Sequence, residues 1–191
     1  MRYSIVLGLL AVALLAASCG NGEEGPKVLP TLPPGTPAIT DSHFDFPARG
    51  YSVEIPDGWT PDANYISGPE FATDAFFAPQ AVGEVKPNIS VTCAVVEAGI
   101  TTDNYAQGKL ELIRGLAKSE PNVSSRQVAG LSALAVEYQP QVSGVEVEKI
   151  DIIFVRGPCG WTITLTAPGG RLEEYRDIFE SFLASYQVLE Q

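Results

Sequence analysis

The apolar residues of this chain keep one period for a stretch and then switch to another. The order of those switches narrows the fold more than any single residue does. Tyr51-Ser52-Val53-Glu54-Ile55 alternates apolar with polar, the two-residue repeat of a strand with one buried face. Pro56-Asp57-Gly58 closes it with turn chemistry, since proline presets φ and glycine accepts a positive φ. Trp59 follows directly and reads as packing under the sheet. Residues 71–78 predict a second strand, with Phe71, Phe76 and Phe77 too crowded to assign to faces. Residues 88–96 predict a third, with Ile89, Val91, Cys93 and Val95 on one side and Ser90, Thr92 and Ala94 on the other. The repeat then lengthens. Ala106, Leu110, Ile113 and Ala117 fall on one helical stripe, flanked by Tyr105, Leu112 and Leu116. Thr102 or Asp103 can cap this helix, which is expected to run to Lys118 before Pro121 ends the segment. Gly108 and Gly115 inside it each cost about 1 kcal/mol relative to alanine, so close approach of another element is expected there. Strands return at residues 132–138, 145–155 and 161–167, with a short extra one at 125–128. Gly157-Pro158-Cys159-Gly160 reads as a hairpin-length loop. In the last strand Trp161, Ile163 and Leu165 alternate with Thr162, Thr164 and Thr166. Residues 171–185 form a second helix with Glu173 and Glu174 at its positive end, and a core face of Leu172, Tyr175, Ile178, Phe179, Phe182 and Leu183. Strands, helix, strands, helix describe an α+β chain over an antiparallel sheet.

The N-terminus carries a different signal. Arg2 precedes an uninterrupted apolar run, residues 5–17, which spans roughly 20 Å as a helix. That is short of the roughly 20 residues that cross a hydrocarbon core, so a secretory signal fits better than a membrane span. Ala16, Ala17 and Ser18 leave room for a peptidase in front of Cys19. The stretch resembles the lipobox of bacterial lipoproteins, in which that cysteine is diacylated through sulfur and becomes the first mature residue. Ala16 departs from it, standing where those proteins favour leucine, with Leu15 one place earlier. The alternative is an ordinary cleavable signal with Cys19 incidental. The resemblance implies residues 1–18 as signal peptide, lipidation at Cys19, and an extracytoplasmic protein held on the cell membrane, or on an outer membrane where one exists. Acyl chains contribute about 0.8 kcal/mol per buried methylene, so two chains suffice for stable attachment. Residues 19–42, with Gly20, Gly22 and Gly25 followed by Pro26, Pro30, Pro33, Pro34 and Pro37, read as a flexible tether. The folded domain is expected over residues 43–191.

A net charge of −11, made slightly more negative by loss of Arg2, disfavours nucleic acid and anionic lipid headgroups as partners. With Cys19 acylated, Cys93 and Cys159 remain as an even pair in an oxidising compartment. Against a bridge, Cys93 falls mid-strand and Cys159 in the hairpin loop; the bridge and a buried free thiol both stay open. Asn88-Ile89-Ser90 and Asn122-Val123-Ser124 match the glycosylation pattern, which carries no weight behind a bacterial lipid signal.

Catalytic patterns are missing from the sequence. His43 is the one histidine and lies at the edge of the folded part, so no Ser-His-Asp arrangement is expected. There is no Gly-x-Ser-x-Gly elbow, phosphate-binding glycine loop or Cys-x-x-Cys pair. Gly169-Gly170 precedes a helix whose glutamates would repel phosphate. Asp41, His43 and Asp45 alternate with Phe44 and Phe46, which reads as a strand with its phenylalanines inward; no metal and no cofactor are expected. Glu173 and Glu174 read as solvated first-turn charges.

Tyr51-Ser52-Val53-Glu54-Ile55-Pro56-Asp57-Gly58-Trp59, Asn88-Ile89-Ser90-Val91, the threonine-rich strand and residues 175–182 with their phenylalanines together resemble the PsbP-like superfamily. That group includes photosystem extrinsic subunits, a Ran-binding import factor and mycobacterial LpqN-type lipoproteins. The resemblance implies an α/β/α sandwich, a central antiparallel sheet of about six strands flanked by two main helices. It implies a non-catalytic module that binds a protein partner in the cell envelope or serves assembly, with no catalytic residues to carry over. Two other readings are a carrier of a small apolar ligand, with a pocket lined by Trp59, Phe76, Phe77 and Tyr105, and an uncharacterised hydrolase.

Overall fold

The computed structural model describes residue 32 and residues 35–140 and 144–189. In chain order the elements are β1 (Ala38–Ile39), β2 (His43–Phe46), β3 (Tyr51–Glu54), β4 (Thr60–Ser67), β5 (Phe71–Phe77), β6 (Asn88–Val95), α1 (Thr102–Leu116), β7 (Asn122–Val128), β8 (Leu131–Tyr138), β9 (Val147–Arg156), β10 (Cys159–Pro168), α2 (Leu172–Ser185) and β11 (Gln187–Val188). Residues 1–18, read as a signal peptide, and Cys19, read as the lipidation site, lie outside the described residues.

The strands form two antiparallel sheets. The larger has the order β4-β5-β6-β10-β9-β8-β7, and the smaller β1-β2-β3-β11. Where the sequence shows a clear period, the element follows it. Trp161, Ile163 and Leu165 are buried on one side of β10, with Ile150, Ile152 and Phe154 beside them on β9 and Ile89, Val91 and Cys93 on β6. Over this face lie Phe179, Phe182 and Leu183 of α2 and Phe44, Phe46, Tyr51 and Val53 of the small sheet, forming the main core. The opposite face carries a smaller cluster, in which Ala106 and Ile113 of α1 meet Val136 and Ile153. The class is therefore α+β, with two helices and a large antiparallel sheet.

Several expectations change. A sheet of about six strands becomes seven plus a separate four. One member of the larger sheet, β4, was not anticipated: Pro61, Asp62 and Asn64 break any alternation, and the strand is an exposed edge. The short strand expected at 125–128 is the seven-residue β7. Thr101, not Thr102 or Asp103, caps α1, its hydroxyl accepting from Asn104 N at 3.2 Å, and the helix ends at Leu116. Gly108 and Gly115 approach nothing, since a Cβ on either would meet no atom within 4 Å. The hairpin between β9 and β10 is tighter than expected. Only Gly157, at φ 59, and Pro158 lie outside the strands, so Cys159 is a strand residue opposite Val95. β1 lies inside the stretch read as tether and pairs with β2, and Leu32 packs against the main core.

Candidate binding groove

α1 is held across the large sheet at both ends. Thr102 Oγ1 accepts from Val155 N at 3.0 Å, and Tyr105 Oη donates to Gly160 O at 3.2 Å. Gly160 is required there, because a Cβ would overlap the Tyr105 ring. At the far end Lys118 N donates to Gln139 O at 2.8 Å. These ties seat the helix over β8 and β9. The strand outside them, β7, is thereby left with an open groove of about 580 Å³ between it and the helix. Ala106, Leu110 and Leu134 supply apolar walls, and Val123, 37% exposed, stands at the rim. Thr102, Asp103, Ser125, Gln127 and Ser132 add polar groups around them. Such an arrangement can hold apolar side chains and offer hydrogen bonds at its edge.

The opposite face holds the one buried charge cluster described. Asp74 Oδ2 accepts from Arg49 Nη1 and from Tyr51 Oη, both at 2.6 Å, while its Oδ1 accepts from Asn64 N at 2.8 Å. Arg49 also donates to Asn64 Oδ1 and lies 4.3 Å from the centroid of the Phe46 ring. Burial, and then the neighbouring Asp74 charge, pushes the Tyr51 phenol well up from its usual value. A carboxylate with three donors is satisfied and joins the two sheets. The available signal in the sequence was Asp74 itself, a carboxylate in the middle of an otherwise apolar strand. On the α1 face Tyr138 Oη donates to Asp151 Oδ2 at 3.2 Å, and burial followed by that carboxylate raises Tyr138. Asp151 Oδ1 and Thr162 Oγ1 are buried without a hydrogen-bond partner among the described residues.

The four aromatics read as a ligand pocket are not brought together. Trp59 and Phe76 are buried in the main core. Phe77, the next residue along β5, faces the other way, with Tyr65 at 5.3 Å and Lys86 Nζ at 5.5 Å from its ring centroid. Tyr105 belongs to α1 and packs on the smaller cluster. None of the four lines the groove. The physical reason is alternation: neighbouring positions on one strand serve opposite faces of a sheet. His43 Nε2 lies 3.3 Å from Asp45 Oδ1, with Phe44 and Phe46 buried behind them. Glu173 and Glu174 pair with Arg176 and Arg171 on the exposed side of α2. Cys93 and Cys159 form a disulfide with Cα atoms 5.3 Å apart. The positional objection to that bond falls with the loop that carried it.

No protein-family model matches this chain, and no curated protein does. Solved structures do. The PsbP protein of Synechocystis sp. PCC 6803, CyanoP, superimposes with a TM-score of 0.57 at 16% identity, covering 78% of this chain and 94% of that one. LpqN of Mycobacterium tuberculosis, described as involved in cell envelope biogenesis, gives 0.57 at 13% identity, covering 81% and 90%. A protein of unknown function from Pseudomonas aeruginosa, PA94, gives 0.54 at 17%, covering 73% and 91%. At these identities the likeness speaks for the backbone arrangement alone. The chain has the PsbP-like fold.

Proposed function

We propose that this chain is a lipid-anchored, extracytoplasmic binding module without catalytic activity, built as an α/β/α sandwich. In this reading residues 1–18 are removed, Cys19 carries the lipid, and the stretch from residue 19 gives the domain reach. The supporting observation is the groove beside α1, open and flanked by a free sheet edge. It lies on the face of the large sheet opposite the small sheet, where the chain arrives from the tether: Leu32 packs on the main core and α1 on the other cluster. An anchor at one face and a groove at the other suit a protein that presents a surface away from its membrane. The envelope role printed for LpqN, a fold neighbour, agrees with this reading.

Two experiments test it. Cys19→Ser should move the protein from the membrane fraction to the soluble or secreted one; a variant that still pellets with membranes after a high-salt wash removes the lipid anchor. Crosslinking in native membranes should join the full chain to a partner protein, and the purified protein should be inactive across esterase, peptidase, glycosidase and phosphatase panels. Turnover abolished by one Asp, Glu or Ser substitution would make it an enzyme.

A further inference from the structure

The large sheet has two edges, and the sequence treats them differently. β4 carries devices that stop an edge from pairing. Pro61 has no amide hydrogen to donate, and the register breaks between Asp62 and Ile66. Within that break Asn64 takes left-handed backbone at φ 56 and turns its amide inward to Asp74. β7 has none of these. All seven of its residues pair with β8 in unbroken register, and it contains no proline, glycine or lysine. Its one charge, Arg126, is a bidentate partner of Glu180 on α2, at 3.0 and 2.8 Å. Among the described residues β7 pairs on one side only. β7 is mostly polar, which keeps it from being the apolar kind of edge that aggregates, but its regular backbone leaves main-chain groups free where β4 is blunted three ways. Of the two edges, β7 is the one open to an added strand.

What pairs there is constrained by the groove. Strand alternation sends Val123, Ser125 and Gln127 toward the α1 face, and an added strand would send alternate side chains toward that same face, along the outer rim of the groove at Val123. Asp103 is the one charged residue of the lining without an ion-pair partner among the described residues, and the whole chain carries −11. A complementary occupant is therefore apolar at alternate positions and cationic. A second copy, equally acidic, is the poorer fit.

We propose that β7 accepts an added strand: an extended segment of a partner protein with aliphatic side chains at alternate positions and at least one lysine or arginine set against Asp103. Main-chain hydrogen bonds to the free edge would supply affinity, and the groove would supply selectivity. This rests on the protein-binding reading above and names the surface that carries it.

Hydrogen–deuterium exchange on the full chain in detergent micelles tests it. The probe is a capped seven-residue peptide with valines at alternate positions and one lysine, compared with the same peptide interrupted by a central proline. The expected result is exchange at residues 122–128 slowed by about tenfold or more, with β4 unchanged and the proline peptide without effect. Val123→Lys, at an exposed position, should weaken the peptide by about tenfold, and Asp103→Lys should shift preference to a glutamate-bearing peptide. No slowing at about 1 mM peptide, slowing at β4, or equal binding of the proline peptide would each overturn the proposal. Protein-concentration-dependent slowing without peptide, abolished by Val123→Lys, would overturn it in favour of a second copy. Membrane crosslinking then separates the two claims. A partner captured equally well by Val123→Lys defeats the β7 assignment and leaves the binding module standing. Peptide pairing in a chain that captures no membrane partner does the reverse.

Discussion

Arg49 Nη1 lies 2.6 Å from Asp74 Oδ2, and the two side chains are 4% and 1% exposed. One belongs to the short turn between β2 and β3, the other to β5, so this contact ties the small sheet to the large one, beside the bond from Tyr51 to the same carboxylate. A buried pair of this kind adds little net stability as a pair, but removal of one member strands the other charge in a dry interior.

Arg49→Met should therefore destabilise the protein by about 3–5 kcal/mol in chemical denaturation. Asp74→Leu added to it should recover a large part of that loss, because the orphaned carboxylate goes with it. A single-variant cost near zero, or a double variant worse than the sum of its parts, would contradict this account of the cluster.

The exported protein should carry Cys93–Cys159 oxidised. Thiol counting on denatured, unreduced protein should find neither cysteine free. The bond closes a loop with a sequence separation of 66. Loop-closure entropy then gives about 4 kcal/mol of stabilisation, so reduction should lower the denaturation midpoint by a corresponding amount. Two free thiols in the exported protein would refute this.

Gly108→Ala and Gly115→Ala should each stabilise the protein by about 1 kcal/mol, since both positions are helical and an added methyl meets nothing. The two sit about two turns apart, so their effects should add to within about 0.5 kcal/mol. Loss of stability in either variant would show that the glycine serves a contact after all.

Alkaline pH should unfold the protein. Burial is the first cause that raises Tyr51, Tyr138 and Tyr186, with Asp74 and Asp151 adding to the first two. An unfolded tyrosine ionises near pH 10. The native state holds these three protons more tightly than the unfolded chain does. Their contribution is thus complete below pH 10 and is lost as the pH climbs above it. Tyrosinate absorbance and circular dichroism should change together in that range, and Tyr138→Phe should shallow the loss.

The sequence revealed individual elements better than relations between them. Alternation in residues 161–167 and the helical stripe through Ala106 and Ile113 reported which side of each element is buried. They did not report which element covers it. Hence Trp59, Phe76, Phe77 and Tyr105 could be grouped by chemistry and still end on two faces of one sheet. β4 escaped notice because an exposed, blunted edge needs no alternating pattern; Pro61 and Asn64 look like loop residues for the same reason that they protect the edge. The groove was invisible for another cause. It arises from where α1 is tied down, through Tyr105 to Gly160 and Lys118 to Gln139, and those bonds join residues 55 and 21 positions apart. Asp74 was in plain view but had no assigned partner, since Arg49 sits 25 residues away.

β6 and β10 are neighbours although α1, β7, β8 and β9 intervene between them in the chain. Cys93 and Cys159 tie those neighbours together at the point where the excursion leaves and returns. The whole groove therefore hangs on a closed covalent ring. Were the N-terminus anchored and a partner held at β7, tension between them would run into that ring at Cys93 and divide between its two arms. Unzipping β6 from β10 cannot relieve it there. Mechanically the groove is a shackle, and the disulfide is its pin.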